Sequence, residues 1–221
     1  MYRKYSPIIK EWTQSTNKAL LVTGARQTGK TWLIRDEIKK SGYETFEINF
    51  IDQPAMIEYL NVQMSAEDFL VKLKMIMPEN CQPKRTIVFF DEIQKFPEIV
   101  TKIKFLVDEG SFKYIMSGSL LGVELNGIAS APVGYLSILK VYPMDFEEFM
   151  IANSISQTTL NTLKDKYEKL EPIDEFIHEK LMTLFFIYLI VGGMPDAVQT
   201  YLNTKDIREV DHVQKDIYTL Y

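Results

Sequence analysis

A single cysteine, Cys81, in a chain of 221 residues excludes an internal disulfide, and its polar surroundings in Pro78-Glu79-Asn80-Cys81-Gln82-Pro83 read as a loop holding an inert thiol. A reducing, cytoplasmic compartment is the natural expectation. Histidine is almost as rare. His178 and His212 stand apart, each beside acidic residues in helix-like segments, so no cluster is available for a bound zinc. Long apolar runs are missing as well: the longest, Leu181 to Val191, covers 11 positions and contains Thr183. That is short of the roughly 20 residues that span a bilayer. No apolar signal core follows Met1-Tyr2-Arg3-Lys4-Tyr5, so neither a membrane span nor export is expected. Arginine is scarce, with Arg3, Arg26, Arg35, Arg85 and Arg208 the full set. The formal charge of −5 and a pI near 5.2 argue against a surface devoted to nucleic acid, although they leave room for a local basic patch.

What is present is an ordinary globular composition, 46% apolar and 25% charged, long enough to bury roughly 70% of the unfolded surface. Residues 24 to 31 read Gly24-Ala25-Arg26-Gln27-Thr28-Gly29-Lys30-Thr31, a complete G-x-x-x-x-G-K-[ST] loop between the apolar run Ala19-Leu20-Leu21-Val22 and a helix-like segment that stops at Ser41-Gly42. The two glycines let successive backbone N–H groups face one anion. Lys30 adds an ammonium for the β and γ phosphates, and Thr31 offers a hydroxyl to Mg²⁺. A helix N-terminus at this point favours negative charge.

Apolar runs that suit buried parallel strands recur at residues 20–23, 43–50, 86–90, 114–116 and 136–141. Between the third and fourth, Ile99, Ile103 and Leu106 share a helix face, with Pro97 at its start and Gly110 past its end. This is the α/β pattern. After about residue 145 only helix patterns follow: a stripe of Leu160, Leu163, Tyr167 and Leu170, a longer helix from an N-cap at Asp174 to Gly192-Gly193, and a third carrying Ile207, Val210, Ile217 and Leu220. The reading is therefore an α/β core over residues 1–150 and a helical lid or linker over 151–221. The last pattern runs to Tyr221 without a stop, so a further C-terminal domain is expected.

The second chemical signal is Thr86-Ile87-Val88-Phe89-Phe90-Asp91-Glu92, an apolar strand ending in two carboxylates. From a strand beside the phosphate loop, Asp91 would hold a water of the Mg²⁺ shell, and Glu92 would orient and polarise an attacking water. Ser119, and after it Ser117, follow the next strand as candidate polar sensors of the γ-phosphate. No arginine can be named as the extra positive charge that phosphoryl transfer requires, so either a second copy, a partner subunit or a missing segment brings one, or turnover is slow.

Together with Phe90-Asp91-Glu92-Ile93-Gln94, Ser117-Gly118-Ser119, Tyr142-Pro143-Met144-Asp145-Phe146-Glu147-Glu148-Phe149 and Gly192-Gly193-Met194-Pro195, the loop resembles a family of bacterial and archaeal ATPases. These have an AAA-type P-loop domain followed by a C-terminal domain of unknown function. The resemblance implies a P-loop NTPase fold of the AAA (ASCE) type, with a central five-stranded parallel sheet flanked by helices and a small all-helical lid behind it. It also implies ATP and Mg²⁺ as ligands, Lys30 and the rest of Gly24 to Thr31 on the phosphates, Thr31 and Asp91 on the metal, catalytic Glu92 and a sensor at Ser119. Relatives usually carry a basic residue where this chain has Tyr135. The expected function is Mg²⁺-dependent ATP hydrolysis coupled to conformational change. The alternative is a nucleotide-gated binding module with negligible turnover, associated with DNA through the missing C-terminal part. A small-molecule kinase ranks last, because a glutamate set for water suits hydrolysis.

Overall fold

A computed structural model of the chain describes residues 1–60, 65–119 and 134–219. It divides into two compact units, one of Tyr5–Tyr142 and one assembled from Met1–Lys4 and Pro143–Tyr221.

In the first unit α1 (Ser6–Ser15) precedes β1 (Ala19–Gly24), α2 (Lys30–Ser41), β2 (Glu44–Asn49), α3 (Ala55–Tyr59) and α4 (Ala66–Ile76). Then come β3 (Thr86–Asp91), a 3₁₀ turn (Ile93–Lys95), α5 (Ile99–Glu109), β4 (Lys113–Ser119) and β5 (Leu136–Lys140). The strands form one parallel sheet in the order β2-β3-β4-β1-β5. All six residues of β3 are buried, as a strand covered on both faces requires. Alternation sorts the side chains. Leu20, Val22, Ile87, Phe89 and Ile115 pack with Ile9 and Trp12 of α1 and Leu33, Ile34 and Ile38 of α2. Leu21, Val88, Phe90, Tyr114 and Met116 pack on the other face with Phe69 and Leu73 of α4 and Ile99, Ile103 and Leu106 of α5. The helix expected from Pro97 to Gly110 is α5, closed by Gly110 at φ 74°. Ser117 to Ser119, expected to follow the strand, instead continue β4, because they pair with Val22, Thr23 and Gly24 of β1.

The second unit is helical: α6 (Phe146–Ala152), α7 (Gln157–Glu168), α8 (Glu175–Val191), α9 (Pro195–Thr204) and α10 (Ile207–Thr219). The cap expected at Asp174 forms, its side chain accepting from the Ile177 N–H at 3.2 Å. Leu220 lies outside the described residues. The short α6 and α9 carry the two late sequence motifs, and these meet. The Met144 N–H donates to the Gly193 carbonyl at 2.6 Å, and a Cβ on Gly193 would stand 2.0 Å from the Met144 carbonyl oxygen. Only glycine permits that approach. Asp145 and Glu148 form a reciprocal capping box on α6. Glu148, 1% exposed, also accepts from Arg3 Nε and the Lys4 N–H, both at 2.9 Å.

Glu148→Ala removes the carboxylate that pairs with the buried Arg3 guanidinium. Urea unfolding of the variant should show a loss of about 3–5 kcal/mol. The Arg3→Met, Glu148→Leu pair should lose much less, and equal losses would mean that the charge pairing contributes nothing.

Candidate functional site

The alternation that packs the sheet also aims its C-terminal edge. In β3, Ile87 and Phe89 face α1 and α2, so two residues on, Asp91 faces the start of α2. By the same step Ser117 follows Ile115 onto that face of β4, and Asn49 is the register partner of Asp91 in β2. Asp91, 1% exposed, accordingly accepts from four groups. The Thr31 hydroxyl lies 3.1 Å from Oδ2, the Asn49 amide 3.3 Å from Oδ2 and the Glu92 N–H 3.0 Å from Oδ1. The Ser117 hydroxyl also bonds Oδ1. Burial pushes the Asp91 carboxyl above the usual aspartate range, and the hydrogen bonds from Ser117, Thr31 and the Glu92 N–H only partly oppose this.

β3 is not the direct neighbour of β1, contrary to the expectation of a strand beside the loop: β4 stands between them. Ser117 is on that inserted strand, which is why it, ranked after Ser119 from sequence, touches the carboxylate. Ser119 presents its backbone N–H to Gln94 Oε1 at 3.2 Å.

The phosphate loop is braced from within. Gly24 ends β1 at φ 152°, where a Cβ would lie 2.0 Å from the Val141 carbonyl oxygen. The buried Thr28 donates to the Ala25 carbonyl at 2.9 Å. Lys30, at the first residue of α2, is 7% exposed and its ammonium donates to the carbonyls of Gly24 at 3.1 Å and Ala25 at 2.7 Å. Burial lowers its pKa, opposed by the negative charges of Glu92 and Asp91.

A cavity of about 480 Å³ opens on this loop, within the range for a small-molecule site, lined by Arg26, Gln27, Gly29, Lys30, Thr31, Trp32, Ile51, Glu92, Gln94, Lys95 and Ser119. Of the expected residues, Arg26, Gln27, Gly29, Lys30, Thr31, Glu92 and Ser119 line it; Gly24, Ala25, Thr28 and Asp91 do not, and Asp91 is joined to it through the Thr31 hydroxyl. Three of the five arginines are engaged elsewhere, Arg3 with Glu148, Arg35 with Glu47 and Arg208 with Asp206. Arg26 lines the cavity. Tyr135 precedes β5 and its carbonyl accepts from Ala19 at the opposite, N-terminal edge. A side chain at position 135 therefore stands about the length of β1 away from this cavity.

Sequence reasoning passed over Trp32, Asn49 and the role of Gln94. Trp32 lines the cavity while 49% exposed. Asn49 closes a strand of the expected span, and its partnership with Asp91 is a matter of register that no spacing shows.

The hydroxyl of Thr31 and the carboxylate of Asp91 supply only hard oxygen donors within hydrogen-bonding reach of each other, which suits Mg²⁺ held directly or through a shell water. Residues 16–150 match the family model AAA_14, described as an AAA domain. The chain belongs to this AAA family. An uncharacterized protein of Methanocaldococcus jannaschii, MJ1544, is 26% identical over 162 residues. The match covers 73% of this chain but only 34% of that relative, so this chain spans about a third of its length. Among solved structures, the Walker-type ATPase paby2304 of Pyrococcus abyssi superposes with a TM-score of 0.52 at 14% identity, covering 98% of this chain and 71% of that one. AMPPCP-bound DnaA from Aquifex aeolicus gives 0.52 at 13%, covering 95% and 65%. At these identities the likeness is one of fold: the first unit has the P-loop fold of AAA ATPases.

Because the buried Asp91 charge is disfavoured in the folded state, it lowers stability above its folded pKa and is without effect once protonated. Without divalent cations, the AAA protein carrying Asp91→Asn should melt higher than wild type at neutral pH. The gap should close on acidification towards the ordinary aspartate range. Calorimetry decides, and a lower melting temperature at neutral pH refutes this account of the carboxylate.

Proposed function

We propose that this chain binds Mg²⁺-ATP and hydrolyses it by direct attack of water, using the cycle to drive a conformational change. The supporting observation is the contact between the Thr31 hydroxyl and Asp91 at 3.1 Å, beside a cavity lined by Thr31, Lys30 and Glu92. Residues 60 positions apart in sequence meet there. In this reading the backbone of Gly24 to Thr31 and the Lys30 ammonium take the phosphates, with phosphate oxygens replacing the Gly24 and Ala25 carbonyls on Lys30. Thr31 and Asp91 hold Mg²⁺, which when bound neutralises charge on the phosphate oxygens. Glu92 accepts a proton from the attacking water and orients it. Ser119 lines the γ-phosphate side. The AMPPCP-bound neighbour supports a nucleotide ligand, and the Walker-type ATPase supports turnover.

Positive charge beyond Lys30 comes from Arg26 or Lys95 at the cavity wall, or from an arginine of a second copy or partner. The thin supply favours one further reading, a nucleotide-gated binding module with negligible turnover. Phosphate release separates the two.

With ATP at about 100 times its Kd, binding stabilises by about 2.7 kcal/mol, a rise in melting temperature of roughly 5–10 °C at this size. Lys30→Ala should abolish that rise. Glu92→Gln should keep it while lowering phosphate release about 10²–10⁴-fold, the usual contribution of a general base. A wild-type protein that binds ATP but releases phosphate only at background rate supports the module reading. Unchanged release in Glu92→Gln removes Glu92 from the mechanism.

A further inference from the structure

Glu92 leaves β3 in the left-handed backbone region, at φ 56°, so the strand that aims Asp91 does not aim Glu92. Something else must. Its N–H is spent on Asp91, which ties down the backbone and leaves the carboxylate to be fixed separately. Gln94 stands two residues on, inside the 3₁₀ turn. Its amide nitrogen donates to Glu92 Oε2, and its amide oxygen accepts from the Ser119 N–H at 3.2 Å.

The polarity of the two contacts is locked. A carboxylate only accepts and a backbone N–H only donates, so a reversed amide would set oxygen against oxygen at one end and N–H against N–H at the other. Gln94 therefore acts as a one-way adaptor between the end of β3 and the end of β4. Strand β4 is the one inserted beside β1, and its Ser119 is the register partner of Gly24, where the phosphate loop begins. The carboxylate of Glu92 is thus referenced, through a single amide and one N–H, to the origin of the loop that would hold the triphosphate.

We propose that Gln94 is a positioning residue for hydrolysis, holding the Glu92 carboxylate in line with the phosphate loop through the Ser119 backbone. This rests on the reading of Glu92 as the group that orients water. Geometry of this kind acts on the chemical step rather than on nucleotide affinity, because Gln94 leaves Lys30 and the loop amides untouched. It also explains why residue 94 needs both a donor and an acceptor on one short planar group. Glutamate would fill the same space but face Glu92 with like charge, and alanine would leave both partners unclaimed.

The test is steady-state phosphate release with Mg²⁺-ATP for wild type, Gln94→Ala, Gln94→Glu, Glu92→Gln and the Glu92→Gln, Gln94→Ala double variant. ATP affinity is followed in parallel by tryptophan fluorescence, since Trp32 lines the cavity. Gln94→Ala and Gln94→Glu should each lower kcat tenfold or more with ATP affinity within about twofold of wild type. In the Glu92→Gln background, Gln94→Ala should add no further loss. An unchanged or raised kcat in Gln94→Ala overturns the proposal, as does a loss that multiplies undiminished onto Glu92→Gln. If Gln94→Ala fails to fold, the same criteria are read on the isosteric Gln94→Glu. A wild-type protein without turnover refutes the hydrolysis reading and this inference with it, whereas full turnover in wild type and in both Gln94 variants refutes this inference alone.

Discussion

The structure of the first unit turns on one contact, the Thr31 hydroxyl against the Asp91 carboxylate. It joins the start of α2 to the end of β3 across an inserted strand. The contact is possible because the two-residue period of β3, set by Ile87 and Phe89 packing on α1 and α2, carries one step beyond the core into the site. A register slip of one residue would turn Asp91 to the α4 and α5 face and present Phe90 to Thr31. Hydrophobic packing therefore aims the chemistry, and the aromatic pair Phe89-Phe90, one ring in each core, is part of the site although neither ring lines the cavity.

The buried carboxylate stands against stability. Asp91 is desolvated and held by neutral donors, with Thr31, Ser117, Asn49 and the Glu92 N–H sharing one charge. Such an arrangement is poor as a folding device and well suited to a cation, the tension between stability and function that active sites commonly carry. Glu92 adds a second departure from ease, a non-glycine residue at positive φ. Strain of this sort persists when neighbours over-determine it, and here Asp91 on one side and Gln94 on the other do so.

In the helical unit the late motifs proved to be architecture. Met144 and Gly193 exchange a backbone contact too close for any side chain, and Glu148 caps its own helix while neutralising Arg3. One of the five arginines is thereby committed to structure, which bears directly on how little positive charge remains for a phosphate. That these motifs mark a family is explained by packing as readily as by chemistry.

From the chain of letters alone came the phosphate loop, the acidic strand end, five strands and the helical second half. Each of these is local: a spacing of glycines and a lysine, a run of apolar residues, a cap and a stop. The single cysteine likewise determined that the chain closes no internal disulfide. Strand order, and with it the place of Ser117 on Asp91, was decided only by the tertiary structure. So were the partnership of Asn49 and the clamp of Gln94 between Glu92 and Ser119. The physical reason is the same in each case. These contacts depend on which parallel strands lie side by side and in what register, and that is settled by the joint packing of both sheet faces rather than by any stretch of neighbouring residues.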